Sequence, residues 1–193
     1  MNKKLFSFIC AISCSFIWGS AFVAQDMGMD HIGPFTFTGV RMVIAFLSLI
    51  PFFFIYEFNK IKKTKVNSKI VVSYICLLGF LLSAGMCLQQ FALLRTDVAN
   101  TAVFTILYVV LVPFVAYFFF SKNIHWSIWP SVLMCLLGGF LLTELDDVTI
   151  RVGDTLSVIN AFFWAFHIVF ISKFLRIFNY PITIATFSVW LVP

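Results

Sequence analysis

Charge is scarce in this sequence. Only 11% of the 193 residues are Asp, Glu, Lys or Arg, whereas 62% are hydrophobic and the mean hydropathy is +1.03. Soluble domains carry about 25% charged residues, so this composition excludes an ordinary soluble protein and is typical of membrane proteins. The net charge of +5 does not indicate a nucleic-acid-binding protein, because the basic residues lie in short gaps between apolar runs, where membrane topology explains them.

Acidic residues are absent from all the long apolar runs, and HExxH, P-loop and GxSxG motifs are absent from the whole sequence. An integral membrane enzyme would need two carboxylates, a Ser and His pair, or a set of metal ligands within reach of one another. The five cysteines lie inside apolar runs at spacings that match no zinc or redox pattern, so we interpret them as packing residues. We therefore expect a protein that is not an enzyme and that holds neither a cofactor nor a metal ion.

Long apolar runs dominate what remains. A membrane span needs about 20 such residues to cross ~30 Å of hydrocarbon, and because lipid offers no hydrogen-bond partners to an open backbone, these runs form helices. Six runs qualify and a seventh is shorter, so we predict an all-α integral membrane protein, a polytopic helix bundle. The predicted spans are 5–24, 34–56, 70–94, 98–120, 126–143 and 155–172, and the partial one is 181–193.

The gaps between these runs alternate in charge. The N-terminus and every second gap after it hold ten basic residues and one acid, Glu57, whereas the other gaps hold two basic residues and seven acids. Basic residues concentrate on the cytoplasmic side of membrane proteins. The alternation therefore predicts a multi-pass protein of the cell membrane with its N-terminus in the cytoplasm.

The beginning of the chain is repeated near its end. "FIWGSAFV" in the first run is similar to "FFWAFHIV" in the sixth, which superposes Trp18 on Trp164 with an offset of 146 residues, while Pro34 superposes on Pro181 with an offset of 147. Five spans separate the two copies, an odd number, so the copies run in opposite directions across the membrane. Such inverted repeats are a hallmark of alternating-access transporters.

This repeat predicts two units of inverted topology. The first five-helix unit covers 1–145 and the second opens at 151 and extends to 193. The second unit is incomplete, because its last run would end with a free carboxylate inside the bilayer, where charge is costly. We therefore expect a piece of a protein of about 290 residues, made of two such units.

Several stretches together resemble a known family. They are "WGSAF", "VRMVIAFL", "FALLRTDVANTAVFTILYVVLVPFVAYFFF", "LLGGFLLT" and "GDTLSVINAFFWAFHIVFISKF", and they extend over nearly the whole chain. The chain is similar to EamA-type transporters of the drug/metabolite transporter superfamily. The resemblance implies ten helices in two inverted five-helix repeats, both termini in the cytoplasm, and a central cavity that exports or exchanges small metabolites, often amino acids.

The resemblance also assigns some positions. An arginine in the second helix, a link of small residues with a threonine between the third and fourth helices, and a Gly-Asp opening of the second repeat recur in the family; they match Arg41, 92–99 with Thr96, and 153–154. Many members carry a glutamate just after the fourth helix, where this chain has Lys122. A gating salt bridge built on that glutamate is therefore not expected here.

Polar side chains inside the spans are the candidate site residues, because burying them in lipid is costly unless they face protein or water. Asn160, Trp164 and His167 share a helix face at i, i+4 and i+7. With Trp18 from the first span, they suggest aromatic walls for an organic or zwitterionic solute. His167 also offers proton coupling, since an unperturbed histidine has a pKa near 6.5. The alternative is packing tryptophans and an interhelical hydrogen bond worth about 0.6 kcal/mol.

The third and fourth spans add further candidates. Thr101, Thr105 and Tyr108 share a face of the fourth span, with Asn100 beside it, and Gln90 lies near the end of the third. From this group we take Gln90, Asn100 and Tyr108 as cavity candidates.

Arg41 lies seven residues into an otherwise apolar run, about 10 Å below the predicted outer surface. Its side chain leans toward the helix N-terminus and so toward the headgroups. Two interpretations stay open: a snorkelling or outer-gate arginine paired with Asp97 or Asp154, and a cation that holds a substrate carboxylate.

Together these features favour a secondary transporter of small organic metabolites that works by alternating access, with amino acids as the class that the resemblance suggests. Three alternatives stay open: an inactive fragment of such a transporter, a small multidrug-type proton antiporter, and an integral membrane enzyme. The antiporter would need an acid deep in the first span, where none occurs. Expected partners are a small-molecule solute and membrane lipid, and no nucleic acid; the oligomeric state is left open.

Overall fold

The chain is helical throughout the computed structural model, which describes residues 3–63, 68–121, 124–142 and 151–192. Within these ranges it forms nine helices and no strand. The prediction of an all-α protein is confirmed. The helices are α1 (Lys3–Met29), α2 (Pro34–Tyr56), α3 (Phe58–Lys63), α4 (Ser68–Leu93), α5 (Val98–Ile106), α6 (Tyr108–Phe120), α7 (Ile128–Leu142), α8 (Val152–Ile177) and α9 (Pro181–Trp190).

Five helical segments among the described residues are long and apolar enough to cross a membrane, with 23 to 26 residues each. At 1.5 Å per residue they extend about 35 to 39 Å, which exceeds the ~30 Å of a hydrocarbon core. They coincide with five of the six predicted spans, so the chain is a polytopic membrane protein. The five segments are Lys4–Met29, Pro34–Tyr56, Ser68–Leu93, Val98–Phe120 and Val152–Ile177.

The fifth predicted span, 126–143, is shorter among the described residues. The described part of helix α7 has 15 residues, which is about 23 Å and less than full spanning length. It starts late because a turn precedes it: the Ser127 amide donates to Nδ1 of His125 at 3.3 Å, and Oγ of Ser127 lies 2.7 Å from the same nitrogen. Residue 143 and the predicted unit boundary at 145 lie outside the described residues.

The predicted span 98–120 contains a break at Leu107. Pro113 has no amide, so the carbonyl of Val109 lacks its donor within the helix. Six residues before Pro113, the Leu107 amide donates to the Phe104 carbonyl at 3.3 Å. This tightened turn separates α5 from α6 and lies directly before the candidate tyrosine.

Helices α4 and α8 form the centre of the bundle, and α2, α5, α6 and α9 pack around them. At one end of the α4–α8 contact, Leu78, Phe174 and Ile184 form a buried cluster, and Tyr74 stacks on Phe174 with ring centroids 4.9 Å apart. The outer faces are apolar and open, as at Phe16, which is 79% exposed. In lipid such a face needs no protein partner, because hydrocarbon tails are as apolar as the side chain itself.

Helix α8 begins in close contact with the end of α4. A Cβ atom on Gly153 would lie 2.7 Å from the carbonyl oxygen of Ala92, so this approach requires glycine. The buried carboxylate of Asp154 accepts hydrogen bonds from Oγ1 of Thr96 at 2.7 Å and from the amide of Arg151 at 2.8 Å. We call Thr96, Arg151 and Asp154 the Asp154 junction; it fixes where α8 starts relative to α4.

Candidate functional site

Four aromatic side chains from three helices meet inside the bundle. Trp18 of α1 stacks on Tyr108 of α6 with ring centroids 6.4 Å apart. Trp18 also contacts Trp164 of α8 edge-on, with centroids 5.1 Å apart. His167 contacts Trp164 edge-on at 5.8 Å. We call these four residues the aromatic cluster; the structure thus places the two tryptophans of the sequence repeat in direct contact.

The aromatic cluster stands on the buried face of α8. Asn160, Trp164 and His167 are all buried, which agrees with their spacing along one helix face. Met42 of α2 and Met86 of α4 belong to the same buried hydrophobic cluster as Trp164, and Trp18 and Tyr108 pack against that cluster. Side chains from several helices therefore surround the rings.

Two buried polar atoms lie close to Gly85 of α4, beside this cluster. A Cβ atom on Gly85 would lie 3.4 Å from Oδ1 of Asn160 and 3.5 Å from Nε1 of Trp164. Neither of these two buried atoms has a hydrogen-bond partner among the described residues, whereas Nδ2 of Asn160 donates to Oγ1 of Thr105 at 3.2 Å. A buried polar atom without a partner costs about 1–3 kcal/mol. An unpaired acceptor and an unpaired donor thus face the same glycine.

Two glutamines on α4 continue the polar surface. Nε2 of Gln90 donates to Oγ1 of Thr38 on α2 at 3.0 Å, and Nε2 of Gln89 donates to Oε1 of Gln25 on α1 at 3.3 Å. Both glutamines are buried, and their carbonyl oxygens lack a partner within the described part of the chain. Each glutamine therefore links two helices and keeps one acceptor unused.

Arg41 does not pair with Asp97 or Asp154, so that part of the sequence prediction is wrong. Asp97 forms an ion pair with Arg151, and Asp154 belongs to the Asp154 junction. Nη2 of Arg41 instead lies 3.9 Å from the sulfur of Met86. The acids are out of reach because they are held at the start of α8.

The guanidinium of Arg41 turns toward the start of α2. Its central carbon lies 5.5 Å from the ring centroid of Phe37, one helical turn earlier, the direction expected of a helical side chain. It borders an open groove of about 270 Å³ that is also lined by Phe37, Val40 and Ile44. Its Nε is nevertheless buried, with no acceptor among the described residues. Arg41 thus lies between this groove and Met86, which belongs to the same buried cluster as Trp164.

Asn100 is the candidate that the structure separates from the others. It lies half-buried in the first turn of α5 and takes part in none of the hydrogen bonds that join the remaining candidates in the described chain. Its neighbour Thr101 is fully buried and has an unpaired Oγ1 within the same residues. The inward face of α5 is therefore that of Thr101 and Thr105, as the i, i+4 spacing of these threonines indicates.

The sequence model of the EamA-like transporter family matches residues 5–144. The chain belongs to this family. It is 28% identical over 177 residues to an uncharacterized transporter of Archaeoglobus fulgidus, a match that covers 92% of this chain and 52% of the relative. It is also 28% identical over 132 residues to the uncharacterized transporter YoaV of Bacillus subtilis, covering 67% of this chain and 43% of the relative. The chain thus spans about half the length of the curated relatives it matches, and no solved structure matches it.

In this EamA-like chain the unpaired polar atoms include both donors and acceptors. Amide oxygens supply the acceptors, a guanidinium and an indole nitrogen supply donors, and a hydroxyl and an imidazole can do either. The described residues hold no group of three His, Cys, Asp or Glu side chains that would suit a metal ion. The unpaired atoms are Arg41 Nε, Gln89 Oε1, Gln90 Oε1, Thr101 Oγ1, Asn160 Oδ1, Trp164 Nε1 and His167 Nε2.

Sequence reasoning missed Thr38, Gln25 and Gln89. Thr38 lies three residues before Arg41, so both project from one face of α2, and this spacing was the available signal. Gln25 and Gln89 stand at the ends of apolar runs, where polar residues are ordinary. Their pairing depends on how α1 packs against α4, which the sequence does not specify.

Proposed function

We propose that this protein is a secondary transporter of small organic solutes, with amino acids as the substrate class, and that it works by alternating access. Membership of a transporter family supports transport in general. The polar interior between α1, α4, α5 and α8 supports an organic solute with charges of both signs. We also propose that it is not an enzyme, because none of its spanning helices carries an acidic side chain deep in the bundle.

One observation carries the substrate class: the unpaired acceptor of Asn160 and the unpaired donor of Trp164 both face Gly85. An amide oxygen suits an ammonium group, and an indole N–H suits a carboxylate. Trp18 and Tyr108 add ring faces that attract a cation and cover apolar carbon atoms. A zwitterion satisfies both unpaired atoms, which a purely apolar solute leaves unpaired.

We further propose the membrane arrangement of this transporter. Residues 1–145 form a first unit and 151–193 open a second unit of inverted topology, which is supported by the direct contact between Trp18 and Trp164. The basic gaps place the N-terminus in the cytoplasm and the protein in the cell membrane.

Counterflow in liposomes tests the function. The purified protein is reconstituted into vesicles loaded with one unlabelled amino acid, and uptake of the labelled form is measured over a panel. We expect uptake of at least one amino acid, and a loss of about tenfold or more in Asn160→Leu and in Trp164→Phe, because each removes one hydrogen-bonding group for a charged solute.

The matched control is Asn100→Leu, the same change on the half-buried asparagine of α5, which should retain counterflow. Uptake of no amino acid in the panel would reject the substrate class. Equal losses in the Asn100 and Asn160 variants would reject the site while leaving transport itself in place.

A further inference from the structure

Glu57 is a buried acid that the proposed path does not use. It follows the last residue of α2, its side chain is 5% exposed, and its own carbonyl accepts the amides of Lys60 and Ile61 in α3. It is also the one acid among the ten basic residues of the alternate gaps. A carboxylate in such surroundings is expected at the surface among lysines, so its burial calls for a structural cause.

The cause is the start of α9. The Glu57 carboxylate accepts hydrogen bonds from the amide of Ile182 at 3.1 Å, the amide of Thr183 at 2.7 Å and Oγ1 of Thr183 at 2.7 Å. First-turn amides have no acceptor within their own helix, and the N-terminus of a helix carries partial positive charge. All three bonds are charge-assisted, which makes them shorter and stronger than neutral ones. Glu57 therefore caps a helix that lies 125 residues later in the chain.

Ring contacts extend this attachment along the seam between α2 and α9. Phe53 meets Phe187 edge-on with centroids 5.3 Å apart, and Phe46 contacts Trp190 at 4.5 Å. Glu57 is the charged end of this seam, and it lies at the opposite end of the bundle from the Asp154 junction. The seam joins a helix of the family-matched region to one beyond it.

The start of α2 offers a comparison within the chain. It opens Pro34-Phe35-Thr36, and α9 opens Pro181-Ile182-Thr183, so Thr36 occupies the position in α2 that Thr183 occupies in α9. Thr36 is exposed, and no side chain caps the start of α2 from its N-cap residue. The two helix starts are similar in sequence, but only the start of α9 is capped by the Glu57 carboxylate among the described residues.

We propose that Glu57 is a latch that holds α2 to α9 and keeps this end of the bundle closed. The proposal rests on alternating access, because a path that opens at this end must separate the two helices. Opening then requires the carboxylate to leave its three donors for water, and the strength of these bonds sets how often the end opens.

A buried cysteine reports opening directly. Thr186 is 0% exposed and lies one turn into α9 from the capped amides, so Thr186→Cys reacts with a water-soluble maleimide only when the seam opens. Labelling rates are measured on the purified protein by mass spectrometry of the peptide that contains position 186, which separates this site from the five native cysteines. We expect Glu57→Ala to raise the rate about tenfold or more and Glu57→Gln, which keeps an acceptor oxygen, to raise it less.

Two threonine variants complete the design. Thr183→Val removes one of the three donors and should raise the labelling rate several-fold, whereas Thr36→Val, at the corresponding position of α2, should not change it. A cap with a structural role only would lower the unfolding temperature and leave the labelling rate well below that temperature unchanged.

Unchanged labelling in both Glu57→Gln and Thr183→Val would overturn the latch, and these two mild variants decide the matter if Glu57→Ala does not fold. The labelling assay needs no solute, so it separates the two proposals. If counterflow is absent but the Glu57 variants label faster, the transport proposal is rejected, and Glu57 still controls how often α2 and α9 separate. Intact counterflow with unchanged labelling rejects the latch alone.

Discussion

Gly153 lies where the start of α8 packs tightly against the end of α4. An added methyl group would meet the Ala92 carbonyl oxygen at 2.7 Å and Cβ of Thr96 at 2.7 Å, and backbone atoms cannot rotate away. We expect Gly153→Ala to lower the free energy of unfolding by about 1–3 kcal/mol, as measured by circular dichroism in detergent. Gly19→Ala is the control, since no atom lies within 4 Å of a Cβ there; equal unfolding midpoints for the two variants would contradict this account.

Arg41 supports a second prediction at this scale. Its planar guanidinium lies over Phe37 and against Met86. A lysine ammonium is a compact point charge, so it cannot make both contacts at once. If the guanidinium binds a substrate carboxylate, Arg41→Lys reduces amino-acid counterflow about tenfold, and this is the result we expect. Unchanged counterflow together with an unchanged unfolding midpoint would instead establish a snorkelling arginine. Val40→Ala is the control, because Val40 lines the same groove as Arg41 but carries no charge; it should retain counterflow.

Among individual residues, the sequence was most informative where a pattern repeated. Trp18 and Trp164 came from two copies of one motif, and the structure brings them into contact. Asn100 was chosen over Thr101 on polarity alone, but the inward face of a helix depends on rotation about its axis. Glu57 resembled an ordinary surface acid in a basic gap, since nothing local indicates that a helix start 125 residues away will bind it.

At the scale of elements, the spans could be predicted because lipid imposes a simple constraint: every backbone group must be paired within the segment. Five long helices follow from run length alone. The short α7 and the break at Leu107 could not be predicted in this way. The start of α7 follows a side-chain turn at Ser127, and the break follows a tightened turn in which the Leu107 amide donates to the Phe104 carbonyl.

Another prediction concerns Pro113, which lies inside α6, six residues after the break at Leu107. Pro113→Ala restores an amide donor within the helix, and alanine is favoured over proline by about 3 kcal/mol in a helix interior. We expect a higher unfolding midpoint but weaker counterflow, because a straighter helix moves Tyr108 away from Trp18. Pro51→Ala in α2 is the matched control: α2 has no break in the turns before its proline, so stability should rise there with counterflow retained. Undiminished counterflow in Pro113→Ala would show that the break is not needed.

At the scale of the whole molecule, polar contacts join helices at both ends of the bundle. The Asp154 junction joins α8 to the end of α4, and the Glu57 carboxylate joins α2 to the start of α9. Each contact links a helix of the predicted first unit to one of the predicted second unit. The proposed alternating access requires these two contacts to break in turn, one at each end.

The orientation of this molecule is testable with two exposed positions at opposite ends. Lys63 lies in α3 beside Glu57, and Asp97 lies at the start of α5 beside the Asp154 junction. Because basic residues concentrate on the cytoplasmic side, a membrane-impermeant maleimide should label Asp97→Cys on intact cells and should label Lys63→Cys only after the membrane is permeabilised. The native chain, with its five cysteines, sets the background for both. The reverse pattern would place Glu57 outside, so that the latch would close the outer mouth and the Asp154 junction the inner one.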